Sequence, residues 1–244
     1  MSDERSTAPE QLPPPPWQRV PPRPVRRRRD PITREAIVEA ALRILDAEGL
    51  DGLSMRRVAE ALDTGAASLY RHVGSKDGLL DLVFDQVIGE QEIPDADPER
   101  WREQLKEVAR TMRATILRHR DVVRISIGRI PLGPNALRYS ERVLAILRAG
   151  GVPDQLAVLG HHLLIATVNG FTLDETGEAG EAPPDQPAPE QAAEMVRDYL
   201  ASLPRDRFPN LVDLADHFAV GEPDTRFELL LDLFIDGLAK RARA

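Results

Sequence analysis

Residues 54–80 read SMRRVAEALDTGAASLYRHVGSKDGLL, and the fold is decided here. Ser54 precedes a short apolar repeat (Met55, Val58, Ala59, Leu62) at three- and four-residue spacing, so it reads as the N-cap of a helix with one buried face. Asp63-Thr64-Gly65 breaks the pattern. Asp tolerates left-handed backbone better than most residues and can serve at a turn position where Gly is usual. A second short helix follows, with Ala66, Leu69, Tyr70 and Val73 expected to face inward and Ser68, Arg71 and His72 expected to share another face. Gly74 stops it. Ser75 then caps a further helix with Asp77 in its first turn and a stripe of Leu79, Leu80, Val83, Phe84, Val87 and Ile88. Two short helices across a tight turn form a helix-turn-helix, whose second member enters the major groove of DNA. That second helix must be apolar on one side and polar on the other, and residues 66–73 meet the condition.

Upstream, Thr33 reads as the N-cap of a helix whose stripe is Ile37, Ala40, Ala41, Ile44 and Leu45, closed by Gly49. Downstream, helical periodicity covers residues 101–119, 121–127, 136–149, 154–174, 190–202, 209–218 and 224–241. No strand pattern competes. The expected fold class is all-α: a three-helix DNA-binding unit (31–75) joined to a larger helical core (76–244). The acidic, Pro-rich stretch 175–190 is expected to be a mobile loop. Residues 1–30, with Pro13 to Pro16 and then Arg26, Arg27, Arg28 and Arg29, are expected to form a disordered tail, because such composition buries too little apolar surface to order itself. The four arginines would suit a phosphate-tracking arm.

Composition narrows the chemistry. The 244 residues include no cysteine and carry a formal charge of −8. Without Cys there are no disulfides, thiolate nucleophiles or iron–sulfur clusters. The charge is uneven: residues 19–76 hold twelve basic and eight acidic side chains, residues 77–244 nineteen basic and 29 acidic. A basic segment on an acidic body fits a polyanion-binding module. No apolar run is expected to reach the ~18 residues of a membrane span, and the N-terminus lacks the apolar stretch of a signal peptide. No membrane association and a cytoplasmic location follow as expectations. No phosphate-binding loop or His-Glu-x-x-His is present, so an enzyme is disfavoured. His161 and His162 are adjacent, point to different helix faces and cannot chelate together; neither a metal nor a cofactor is expected.

These residues also carry a family resemblance. The blocks Ile37-Val38-Glu39-Ala40-Ala41, Gly49-Leu50-Asp51-Gly52-Leu53-Ser54-Met55-Arg56 and Ser68-Leu69-Tyr70-Arg71-His72-Val73-Gly74-Ser75-Lys76 resemble the DNA-binding domain of TetR-family transcriptional regulators. Trp101, Leu105, Ala109, Arg113, Leu117, His119-Arg120-Asp121, Gly128 and Pro131 resemble the ligand-binding core of its tetracycline-repressor branch.

The resemblance implies that Thr33, Ser54, Tyr70 and Lys76 hold phosphates and that Arg56 and the helix bearing Ala66, Ala67, Ser68, Arg71 and His72 meet base edges. Arg71 is the first choice of base reader, since its fork matches guanine O6 and N7. A core role for Tyr70 and a packing role for His72 stay open. The resemblance also implies a homodimer on a palindromic operator of double-stranded DNA. Leu163 and Thr167 of the 154–174 helix, with Phe227, Leu231, Phe234 and Leu238 of the last helix, are the expected interface.

An effector is expected to enter the core and shift the helix after residue 75. Matching pocket positions are Gln91, Val108, Met112, Ile116, Ser126, Ile130, Pro131 and Phe171. Ser126 stands where the tetracycline branch has a histidine ligand for magnesium, and a hydroxyl is a poor substitute. A Mg–tetracycline site is therefore not expected; an apolar small molecule is. A constitutive DNA-binding regulator with no effector is the alternative.

Overall fold

The computed structural model describes residues 32–179, 189–218 and 222–242. The expected tail and its four arginines, and most of the loop expected after residue 175, lie outside these. Every element falls in the second of two contact units, Arg34–Ala244. Among the described residues the structure is entirely helical: α1 (Arg34–Gly52), α2 (Met55–Ala61), α3 (Ala66–Val73), α4 (Lys76–Ile88), α5 (Trp101–Arg118), α6 (Val122–Ser126), α7 (Pro134–Ala149), α8 (Asp154–Ala179), α9 (Pro189–Ala201), α10 (Pro209–Asp213) and α11 (Pro223–Ala242), with a 3-10 turn at Ala215–His217.

The first four helices begin and end where local chemistry dictates. Gly49, at φ 75°, breaks α1 into a main helix and a final turn; glycine adopts this conformation without steric cost. The Ser54 hydroxyl accepts from the Arg57 N–H at 3.2 Å, and the Ser75 hydroxyl from the Gly78 N–H at 2.9 Å. Asp63 takes φ 48°, the left-handed geometry expected of the turn. α1 packs on α2, α3 and α4, and buried Ile37, Ala41, Leu45, Val58 and Leu69 form the centre of this small bundle.

α4 then leaves the bundle for the core, where α5, α7, α8 and α11 pack together. Leu105, Val143, Ile146, Val168 and Leu231 are fully buried there. Each such side chain contributes roughly 1.5–3 kcal/mol by leaving water. α9, α10 and the 3-10 turn pack mainly on one another.

Three expectations need correction. The segment expected to be mobile from residue 175 continues α8 as helix to Ala179; Glu175, read as part of an acidic loop, is held by Arg113 of α5 at 2.6 Å. α8 also contradicts the expected absence of a long apolar run. Within residues 154–176 an 18-residue window has a mean hydropathy of 1.5, and the helix is long and apolar enough to cross a membrane by length and composition. The structure gives another use for part of this character: Ala157, Leu164, Val168 and Thr172 lie against the core at helical spacing, while Val158, Leu159, Leu163 and Leu173 face outward. Finally, Phe227, Leu231 and Leu238 of α11 are buried within this chain's own core. The stripe was expected at the dimer interface, but the earlier helices α5 and α8 cover these three side chains within the chain. Gly160 of α8 assists, since a Cβ there would stand 3.2 Å from Leu238.

The elbow between α3 and α4 is tight. A Cβ on Gly78 would come within 2.4 Å of the Val73 carbonyl oxygen. Backbone cannot yield as a flexible side chain does, so Gly78→Ala should destabilise by about 1–3 kcal/mol. Thermal denaturation reads this directly; an unchanged melting temperature would mean that the elbow relaxes freely.

Candidate nucleic-acid interface

Leu69 and Val73 are buried and fasten α3 to the bundle. They are four residues apart, so one seam of an eight-residue helix is committed and the rest is open. Ala67, Tyr70 and Arg71 are exposed; Ala66, Ser68 and His72 are half-buried. Tyr70 corrects the expectation of an inward side chain. It is 47% exposed, because the buried seam of this short helix is Leu69 and Val73 and Tyr70 lies at its edge. The carbonyl of His72 accepts from Arg34 Nε at 3.2 Å, so the start of α1 braces the end of α3.

The cations divide by what they touch. Arg57 donates to Glu48 of α1, at 2.6 Å from Nη2, and fastens α2. Arg56 pairs with Glu60 one turn away at 2.9 Å, but its side chain is 89% exposed. Ion pairs this solvated contribute at most about 1 kcal/mol and exchange readily for a phosphate or base. Arg71 and Lys76 are exposed and make no hydrogen bond or ion pair among the described residues. Lys76 is the first residue of α4, where the helix dipole adds partial positive charge. The nearby carboxylates of Asp77 and Asp81 are held by Arg129, at 2.8 and 2.6 Å. Thr33 immediately precedes α1, and Ser54 opens α2.

Several contacts joining this unit to the core carried no assigned role in the sequence. Asp121, in left-handed backbone at φ 58°, accepts from the Leu50 N–H at 2.9 Å, just past the break in α1. His119 sits between Asp46 of α1 and Glu90 after α4, 3.1 Å from each. Asp85 of α4 is only 9% exposed and accepts from the Ala136 N–H of α7 at 2.9 Å. The pattern His119-Arg120-Asp121 was visible as part of a resemblance, but nothing local reveals that its partners on α1 lie some seventy residues earlier.

The expected effector residues do not converge. Val108, Met112 and Ile116 are buried in the main core. The Phe171 ring lies 5.1 Å from that of Phe227. Ser126 donates to the Val123 carbonyl at 2.7 Å and accepts from the Asn169 amide at 3.3 Å. Ile130 is 82% exposed, and Pro131 beside it is exposed too, because this connection runs outside the core. Only Gln91 lines the cavity of about 370 Å3 between residues 88–93 and α7. The wall supplied by α7 (Asn135, Arg138, Tyr139, Arg142) is largely polar.

Comparison with known proteins agrees with this architecture. The family model of the tetracyclin repressor-like C-terminal domain matches residues 93–242, and that of bacterial regulatory proteins of the tetR family matches residues 37–83. The chain belongs to the TetR family. It is a helix-turn-helix transcriptional regulator, and its relatives are regulators rather than enzymes.

It is 44% identical over 133 residues to the HTH-type transcriptional repressor DrrR1 of Streptomyces coeruleorubidus, a match covering 54% of this chain and about half (49%) of that protein. It is 32% identical to the class A tetracycline repressor protein from transposon 1721 of Escherichia coli over 84% of this chain and 89% of that one. Apo ActR from Streptomyces coelicolor superposes with a TM-score of 0.79 at 48% identity, over 87% of this chain and 97% of ActR. ActR in complex with actinorhodin superposes with a TM-score of 0.77 at 49% identity, over 85% and 95%.

Asp121 offers a test of how this TetR-family chain couples its parts. Asp121→Ala removes the acceptor of a partly buried N–H and places alanine in left-handed backbone, for a loss of about 1–3 kcal/mol. Asp121→Asn keeps an acceptor oxygen and tolerance of that backbone, so it should retain most of the stability. Chemical denaturation of both variants decides; equal loss would assign the effect to the carboxylate charge instead.

Proposed function

We propose that two copies of this chain bind an inverted-repeat operator, one α3 in each of two successive major grooves, repress transcription there, and are released by a small-molecule effector. The observation that carries the reading is α3 itself: fastened by Leu69 and Val73, it turns Ala67, Tyr70 and Arg71 to solvent beside the unpaired cation of Lys76. In this reading residues 31–75 are the reading head and residues 76–244 the effector and dimer core. Thr33, Ser54, Tyr70 and Lys76 contact phosphates, which set register. Arg56 and Arg71 read base edges, and Ala66, Ala67, Ser68 and His72 shape the fit around them. The names of the relatives support repression, and the ActR complex with actinorhodin supports a small-molecule effector. A regulator acting on DNA in this way works in the cytoplasm.

A second copy also accounts for apolar surface that the single chain leaves open. Val158, Leu159 and Leu163 of α8 and Leu229 and Leu233 of α11 are each at least half exposed. Contiguous exposed apolar side chains on neighbouring helices mark an association surface, and a two-fold pair buries the same patch twice. Of the residues expected at the interface, Leu163 lies on this face, half-buried Thr167 and Phe234 border it, and Phe227, Leu231 and Leu238 back it from inside. The alternative of a regulator with no effector is disfavoured by the ligand complexes of the similar ActR.

Arg71→Ala should weaken operator binding about 5- to 150-fold, corresponding to about 1–3 kcal/mol, and relax specificity at one position of each half-site. Lys76→Ala should weaken all sequences alike and flatten the salt dependence. Both are read by titration of labelled operator at several salt concentrations. Unchanged binding by Arg71→Ala would remove α3 from the groove. The double variant Leu163→Glu, Leu233→Glu should sediment as a monomer; a persistent dimer would place the interface elsewhere.

A further inference from the structure

Arg56 and Arg57 are neighbours on α2, and each meets one carboxylate, but the two pairs are built differently. Arg57 spends one edge of its guanidinium on Glu48 of α1: Nε and Nη2 donate to the same oxygen at 3.0 and 2.6 Å. That pair holds α2 to α1. Arg56 gives Glu60 only its Nε, at 2.9 Å. Its two terminal nitrogens have no hydrogen-bond or ion-pair partner among the described residues.

The difference decides what each arginine can hold next. A guanidinium presents its donors in a rigid fork. With Nε on a carboxylate, the forward edge is the pair of terminal nitrogens, and that edge matches guanine O6 and N7. Glu60 is placed to aim it. It lies one turn after Arg56, on the same face of α2. Its backbone carbonyl accepts from the Asp63 N–H of the turn at 3.1 Å. Glu60 is thus tied to Arg56 by its side chain and, by its backbone, to the turn that leads into α3. A carboxylate beside a base reader also has a cost, because facing a polyanion it opposes the binding of every sequence.

We propose that Glu60 is a positioning residue for sequence reading, which holds the Arg56 fork toward guanine and withholds it from phosphate. This rests on the reading of Arg56 as a base contact given above. In the free protein the pair is surrounded by water and weak. Against a duplex water is expelled, and the same pair strengthens. On guanine, Arg56 uses its terminal nitrogens and keeps Glu60. On a phosphate it swings away, and the Glu60 carboxylate is left unpaired beside the DNA backbone. Specificity is a difference of affinities, so a penalty on the wrong contact counts as much as a gain on the right one.

The test titrates labelled duplexes with full-length protein at several salt concentrations. The duplexes are the operator selected from a random pool and a scrambled duplex of the same composition. Glu60→Ala should bind the scrambled duplex more tightly than wild type, with a salt dependence steeper by about one released ion per subunit. Its preference for operator over scrambled duplex should fall about three- to tenfold. Glu60→Gln keeps an acceptor for Nε without the charge, and should retain more of that preference than Glu60→Ala. In an Arg56→Ala background, Glu60→Ala should change the preference no further. Circular dichroism and melting temperature establish that each variant is folded. A merely structural Glu60 predicts equal weakening on both duplexes, and that result overturns the proposal. So does an unchanged preference in Glu60→Ala, or an equal effect of Glu60→Ala with and without Arg56. If Arg56→Ala itself leaves operator binding unchanged while Arg71→Ala weakens it, the base contact at Arg56 and the role of Glu60 fall together and α3 keeps its place in the groove. A loss of preference in Arg56→Ala with none in Glu60→Ala sinks the role of Glu60 alone.

Discussion

A single buried carboxylate fixes how the two working parts of this molecule are joined. Asp85 lies in the second half of α4 and is almost entirely shielded from water. A charge so placed is tolerated only if its oxygens are satisfied. They are satisfied at the start of α7, by the N–H groups of Ala136 at 2.9 Å and Asn135 at 3.3 Å, where the free amides and the dipole of a helix N-terminus favour an anion. Gly133 makes room, since a Cβ there would meet the carboxylate at 2.2 Å. The Asn135 side chain returns the contact to the α4 backbone. α4 is thus pinned to the core near its end, while its first turn carries the α3 elbow. The two attachments are separated by most of a thirteen-residue helix.

The remaining links between head and core are of the same kind. Asp121 holds the break in α1, His119 bridges Asp46 and Glu90, and Arg129 gathers Asp77 and Asp81 on α4. All are polar and partly solvated. Polar contacts of this strength are made and broken for about 1 kcal/mol each. A two-state element needs joints of that order, because an effector can shift an equilibrium only by its difference in affinity for the two states. Within the core, by contrast, Leu105, Val143, Ile146 and Leu231 are fully buried, and close-packed interiors resist small displacements.

What the sequence made legible was local. Helix starts at Ser54 and Ser75, the left-handed turn at Asp63, the break at Gly49 and the buried seam of Leu69 and Val73 follow from spacing and from the conformational preferences of single residues. What it hid was long-range. Asp85 reads as one more charge on an amphipathic helix until α7 arrives beside it. The stripe of α11 looks like an interface until α5 and α8 cover it, which leaves Leu229 and Leu233 as the exposed apolar side chains of that helix. Tyr70 reads as core because its spacing fits, though two neighbours already suffice. The effector positions carried over by resemblance scatter between core, surface and cavity, since a pocket is set by the packing of several helices and not by any one segment. Arg138, which lines that cavity, had no local signal beyond sharing a helix face with Tyr139 and Arg142.

The central claim is that two copies of α3 read DNA together. Selection of operators from a random duplex pool by the full-length protein tests it most directly. The account predicts an enriched inverted repeat whose half-sites are one helical turn apart, about 34–36 Å between centres, or a multiple of it. Enrichment of single, unpaired sites, or of no sequence at all, would contradict it.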